Sequence, residues 1–219
     1  MHIPDGILNI ATLTTTAVVS AGGVAGAIKF TKDKLKEKQV PLMGVLAAFI
    51  FAAQMLNFPI VGGTSGHFMG AALAAILLGP WAAVLIMTCV LVAQSLIFQD
   101  GGLLALGANI FNMGIIGSFA SYGVYRLVTG LLGKGRKSLL LGGFAGAWFA
   151  MFLTAIACTL ELAFSGVSPL RIVLPAMAGV HALIGIVEGL ITTAVLGVVI
   201  ATRSDLVGMP QVESIRGEK

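Results

Sequence analysis

Charged side chains are scarce in this chain. Asp, Glu, Lys and Arg make up 10% of 219 residues, against 58% hydrophobic residues and a mean hydropathy of +1.02. No soluble domain of this length could hide so much apolar surface in a core, which excludes a water-soluble enzyme or binding module. Cysteine is nearly absent. Cys89 and Cys158 sit in apolar runs far from any CxxC spacing and read as small buried hydrophobes, not as a disulfide or a thiolate pair. No basic stretch with a small-residue cleavage site precedes the first apolar run, so no removable signal peptide is expected. No internal repeat supports an inverted-repeat transporter. No complete nucleotide motif is present either. Residues 130–138 resemble a Walker A pattern, but Arg136 stands where that pattern needs lysine and no parallel-sheet context surrounds it. ATP hydrolysis would have to come from a partner.

What is present is a series of long apolar runs rich in alanine and glycine, which suits closely packed membrane helices and not a barrel of alternating strands. With about 20 residues needed per span, helices are predicted at 8–28, 42–58, 67–78, 81–98, 103–125, 139–164 and 172–201. The fold class is therefore an all-α integral membrane protein, a seven-helix bundle. The third helix is too short to cross alone, so the glycine-rich loop before it should dip into the bilayer. One transmembrane domain covers 1–219, with 1–7 as a short amino-terminal segment, 8–201 as helices and 202–219 as a polar tail.

Orientation follows from the basic residues. Lys29, Lys32, Lys34, Lys36, Lys38, Arg126, Lys134, Arg136, Lys137, Arg203, Arg216 and Lys219 all fall on one side, leaving Arg171 alone on the other. That side reads as cytoplasm, with the amino terminus outside and the carboxy terminus inside a cell membrane. The net charge of +4 is then mostly an inside-loop signal and calls for no nucleic-acid partner.

The start Met1-His2 carries the sharpest chemistry. The free Met1 amine, the His2 amide nitrogen and His2 Nδ1 can close two fused chelate rings on one cation. The bulk of His2 should preserve Met1 from removal, and Pro4, Asp5 and Gly6 supply a turn to aim the segment. His67 follows a glycine-rich loop on the same side and can add a fourth nitrogen. Four nitrogens in a plane favour Ni(II) or Cu(II), with Co(II) possible, over Zn(II), Mg(II) or Ca(II).

Several residues could support such a site. His181 and Glu188 lie seven apart, two turns on one helix face, and either steady a ligand histidine or bond to neighbouring helices. Asp5 either contacts the site or completes its own turn, and Ser65 lies two residues before His67. Gln54, Asn57, Gln94, Asn109 and Asn112 read as interhelical bonding residues. Small residues recur four apart at Gly22 and Gly26, Ala48 and Ala52, Gly142 and Gly146, and Gly185 and Gly189, allowing close helix approach or docking of another membrane subunit.

The start Met-His-Ile-Pro-Asp-Gly, the segment Gly62-Gly63-Thr64-Ser65-Gly66-His67, the stretch Leu77-Leu78-Gly79-Pro80-Trp81-Ala82-Ala83, the run from Gln99-Asp100-Gly101-Gly102 to Asn109, and His181-Ala182-Leu183-Ile184-Gly185 together resemble the CbiM/NikM family. These are the cobalt/nickel substrate-binding (S) components of energy-coupling-factor (ECF) transporters, and the resemblance runs to about residue 200. It implies an S-component-like core with an extra amino-terminal helix, and metal ligation by Met1, His2 and His67. It implies Ni(II) or Co(II) as transported substrate with no organic cofactor. The implied partners are a coupling subunit of the CbiQ/NikQ type, ATPase subunits of the CbiO/NikO type and often a small CbiN/NikN subunit. Ala48 and Ala52 match the family's docking pattern. The chain itself is then not an enzyme.

Two rivals come from other classes. Gly63-Thr64-Ser65-Gly66 satisfies a GxSG pattern and His181 sits on a later helix, which resembles a rhomboid-type intramembrane serine protease at that level only. A stand-alone metal channel or proton-coupled carrier would share the metal site, but needs ionisable relays for which only Glu188 and Glu161 qualify.

Overall fold

The computed structural model describes residues 1–32, 39–60, 64–133 and 135–207. Gly62, Gly63, Lys34, Lys36, Lys38, Lys134 and most of the expected tail, with Arg216 and Lys219, lie outside the described residues. Seven helices stand among the described residues: α1 (Ile10–Lys32), α2 (Gln39–Gln54), α3 (Ala71–Leu78), α4 (Pro80–Phe98), α5 (Leu106–Leu132), α6 (Arg136–Phe164) and α7 (Leu170–Thr202). Five of them are long and apolar enough to cross a membrane, and α2 is a shorter apolar helix of 16 residues. Large apolar side chains such as Val18, Leu131, Leu183 and Leu190 face outward along these helices, as a bilayer allows and water does not.

Three expectations are corrected. The helix predicted over 67–78 starts only at Ala71, because Gly70 takes a left-handed φ of 80°, and residues 67–69 before it are not helical. His67 therefore projects from non-helical backbone. Between α2 and that segment, β1 (Phe58–Ile60) pairs antiparallel with β2 (Thr64–Gly66), Phe58 opposite Gly66, where the sequence suggested helix and loop. Pro59 cannot donate a helical hydrogen bond, which favours ending α2 at Gln54. Cys158 is buried as expected, but Cys89 is exposed on α4 and not a core hydrophobe.

The short α3 is the centre of the molecule. All eight of its side chains are buried, and it packs on α4, α5 and α6, with α2 and α7 alongside. It is uniformly apolar because it meets protein on every side. Helices α6 and α7 form the most extensive pair, with Gly185 against Trp148 and Gly189 against Phe144. Here the four-residue spacing of small residues serves internal packing. Ala48 and Ala52, by contrast, are both exposed on α2.

Two π-helical turns interrupt the regular helices, at Gln94–Phe98 ending α4 and at Ile110–Ile116 within α5. Such widened turns re-aim side chains and recur at functional sites. Both adjoin the amino terminus.

Candidate metal centre

The first three residues are pulled into the bundle. Met1, His2 and Ile3 are buried, Met1 at 1% exposure. The Ile3 N–H donates to Asn109 Oδ1 at 2.8 Å, and the Ile3 carbonyl accepts from Asn109 Nδ2 at 3.1 Å and from the Gly102 N–H at 2.9 Å. Two residues on, the Asp5 carboxylate accepts three backbone N–H groups, from Leu103, Leu104 and Ala105, at 3.0, 2.8 and 3.1 Å. Those amides lie in the turn that leads into α5, where donors lack helical partners and a carboxylate is favoured. Asp5 is thus an anchor for the segment, with its carboxylate on the loop before α5.

Glycine makes this docking possible. Gly101, at φ 94°, brings the loop against His2, and a Cβ there would stand 3.3 Å from His2 Cδ2. At Gly102 a Cβ would collide with the backbone nitrogen and carboxylate of Asp5.

With the backbone held, the Met1 amine lies 2.5 Å from His67 Nε2. The His2 and His67 rings stack with centroids 4.5 Å apart and planes 21° from parallel. His67 Nδ1 is 2.7 Å from the Phe68 carbonyl, which can only accept, so Nδ1 carries the hydrogen and Nε2 presents a lone pair to the amine. His2 Nε2 is 3.0 Å from Gln94 Oε1, and the tautomer that donates along this shorter contact has its lone pair on Nδ1. That Nδ1 is 3.3 Å from Asp100 Oδ1, whose other oxygen accepts from Asn57 Nδ2 at 3.2 Å.

Burial makes these nitrogens neutral. It pushes the Met1 amine from 8.0 down to about 5, against the opposing pull of Cys158 and Asp100. It likewise lowers His2 from 6.5 to about 3, helped by the amine and opposed by the Gln94 bond. His67 is held well below the usual imidazole range by burial, then by the amine, His2 and His181, with the Phe68 carbonyl opposing. Asp100 is raised by burial. Water-excluded neutral nitrogens with lone pairs suit a borderline transition cation. Among the described residues no group of three or more His, Cys, Asp or Glu side chains converges as a metal cage, so a cation here would rely on main-chain nitrogens as well.

The remaining supports act on the other side of His67. Glu188 on α7 accepts the N–H groups of Met69 and Gly70 at 2.7 and 2.8 Å, and Gln54 donates to the Met69 carbonyl at 2.6 Å. Glu188 thereby caps the buried start of α3 and fixes the backbone two residues after His67, while the His67 ring takes its orienting bond from Phe68. His181 is wholly buried, with Nδ1 bonded to the Met177 carbonyl. The Ser65 side chain lies outside the described residues.

The sequence over residues 2–206 matches the profile of a cobalt uptake substrate-specific transmembrane region, CbiM. The chain belongs to the CbiM family. Among its relatives are the cobalt transport protein CbiM 2 of Pelobacter propionicus, 36% identical over 97% of this chain and 96% of that protein, and the fused nickel transport protein NikMN of Rhodobacter capsulatus, 35% identical over 89% of this chain and 60% of that protein. A crystal structure of a transition metal transporter superposes with a TM-score of 0.81 at 38% identity, covering 100% of both chains. The chain is a cobalt/nickel transport component, and its relatives are transport proteins, not enzymes.

Gln94, Asn109 and Asp100 gained no site role from the CbiM sequence alone. Gln94 and Asn109 read as interhelical bonding residues, and Asp100 as part of a loop. The available signal was their placement, since polar residues at the ends of apolar spans flank a histidine-bearing loop on the same side.

Proposed function

We propose that the chain captures Ni(II), with Co(II) second, in a plane of four nitrogens: the Met1 amine, the His2 amide nitrogen, His2 Nδ1 and His67 Nε2. The observation that carries this reading is the 2.5 Å approach of the Met1 amine to His67 Nε2 within a buried pocket. Two nitrogens at right angles, each about 2 Å from one ion, stand about 2.8 Å apart, so both need separate only slightly to share a cation. Neutral amine and imidazoles leave their lone pairs for the metal, and only the His2 amide must surrender a proton. The bonds to Gln94 and Phe68 on the far side of each ring aim those lone pairs. Asp100 beside His2 supplies negative charge to an incoming cation. The in-plane arrangement favours nickel and disfavours ions that prefer oxygen cages.

The chain acts as one transmembrane domain, the S component of an ECF importer. It works with a CbiQ/NikQ-type coupling subunit and CbiO/NikO-type ATPases, which hydrolyse the ATP. A small CbiN/NikN-type subunit completes the complex, in keeping with the fused NikMN relative. The exposed Ala48 and Ala52 offer α2 for docking. The site faces outward from the cytoplasmic membrane and the carboxy terminus faces in, following the lysine and arginine bias.

Metal analysis and absorption spectroscopy of protein whose mature end is verified as Met1 test the capture site. Stoichiometric nickel with a square-planar spectrum is expected, lost on acetylating the amine and in His2→Ala and His67→Ala. Full affinity after acetylation refutes the chelate. Uptake that persists without the ATPase subunits would instead support a stand-alone carrier.

A further inference from the structure

His181 is a wholly buried imidazole that the four-nitrogen set does not use. Its Nδ1 donates to the Met177 carbonyl one turn back at 2.8 Å, so Nε2 bears the lone pair, and Nε2 is buried with no hydrogen-bond partner among the described residues. A buried acceptor left in this state costs the fold stability and calls for an explanation. A histidine kept only for packing could be replaced by an apolar residue at that cost saved.

Its position supplies one. His181 shares a buried face of α7 with Gly185, Glu188, Gly189 and Thr192. Glu188 on that face holds the amides of Met69 and Gly70, so α7 runs alongside the segment that carries His67. His181 is also within electrostatic range of both the terminal amine and the His67 ring. It stands about 16 Å along α7 from the helix start, and the same face continues about 10 Å further to Glu188.

A planar four-nitrogen nickel ion is open on its two axial faces. A further imidazole approaching along that axis lengthens and weakens the in-plane bonds, which speeds release without being needed for capture. Imidazole is a suitable donor for nickel and cobalt alike.

We propose that Nε2 of His181 is a transit ligand, taking the Ni(II) or Co(II) cation as it leaves Met1, His2 and His67 and not holding it at rest. This rests on the capture site proposed above.

His181→Asn tests it, because the shorter amide can keep a donor near the Met177 carbonyl while removing Nε2; His181→Ala removes both. Purified full-length variants are loaded with nickel, then challenged with a chelator. Uptake of radiolabelled nickel is measured in cells that also produce the proposed coupling and ATPase subunits. The expected result for both variants is wild-type nickel content and spectrum, with release to chelator and cellular uptake each slowed about tenfold, the scale on which loss of a supporting group at a metal site is felt. Wild-type release and uptake in His181→Asn would overturn the proposal and leave a purely structural histidine. Loss of nickel or a changed resting spectrum in His181→Asn would also overturn it, by making His181 a resting ligand. Nickel retained at full affinity in His67→Ala would instead sink the capture site itself.

Discussion

Asn109 grips Ile3 through both halves of its side-chain amide, accepting the Ile3 N–H at 2.8 Å and donating to the Ile3 carbonyl at 3.1 Å. A side chain at the start of α5 thus does what a neighbouring strand would do, and immobilises the backbone one residue beyond His2. Asn109→Ala strips the Ile3 N–H of this buried partner, a loss of about 1–3 kcal/mol. If that energy holds the amine in place, nickel affinity should fall about tenfold or more while saturating stoichiometry survives. Titration calorimetry reads this directly. Unchanged affinity would mean that Asp5 and the Gly102 N–H on the Ile3 carbonyl suffice to dock the terminus.

Acid should destabilise the metal-free protein through the same segment. Burial lowers the Met1 amine from 8.0 to about 5, so across that window the unfolded chain binds a proton that the folded chain refuses. Stability is then complete above about pH 8 and drains as the pH falls toward 5. His2, lowered from 6.5 to about 3, extends the loss to more acid conditions. Thermal unfolding of demetallated protein at a series of pH values checks the slope. Amine-acetylated protein should lose the part of the slope between pH 8 and 5, and an identical slope there would show that other groups carry it.

Glu188→Gln should weaken the start of α3. One of the two N–H groups, from Met69 or Gly70, would then face an amide nitrogen in place of a carboxylate oxygen, inside the bundle. Replacing a charge-assisted acceptor by a donor costs about 1–3 kcal/mol or more. The melting temperature should drop, and nickel affinity with it, because the backbone after His67 loses its hold. A variant with wild-type melting and affinity would remove Glu188 from any positioning role.

Ala48→Leu with Ala52→Leu should separate capture from transport. Both positions are exposed on α2, so larger side chains leave the interior undisturbed but roughen a surface suited to close helix contact. Nickel content of the purified protein should match wild type while cellular uptake falls at least about tenfold, given the steep cost of overpacking a close interface. Normal uptake would move the docking surface elsewhere.

The helices were legible because apolar runs of the right length admit few alternatives in a bilayer, and α6 and α7 were located to within a few residues. Their ends were less so. Lys29 and Lys32 mark the end of an apolar span by charge, yet α1 continues through Lys32, since lysine is a good helix former and suits a helix carboxy end. The start of α3 was misplaced for a different reason. Its amino-terminal amides are capped by Glu188, distant in sequence, and no local pattern announces a cap delivered from another helix. The same holds for Asp5, whose three bonds go to residues 103–105. Local turn chemistry could show that Asp5 was placed for a purpose, but not which backbone it would meet. The convergence of Met1, His2 and His67 needed only shared sidedness, while the roles of Gln94 and Asn109 depended on where two π-helical turns point them.

The clasp of Asp5 on Leu103, Leu104 and Ala105 also bears on the order of assembly during synthesis. Residues 1–5 find their anchors only after about a hundred more have been joined, and the Glu188 brace on the segment after His67 arrives later still. The opening segment must therefore wait, uncommitted, while most of the bundle is threaded into the bilayer. The pocket around Met1, His2 and His67 is among the last parts of the molecule to take shape, since it closes only once α5 and α7 are both in place.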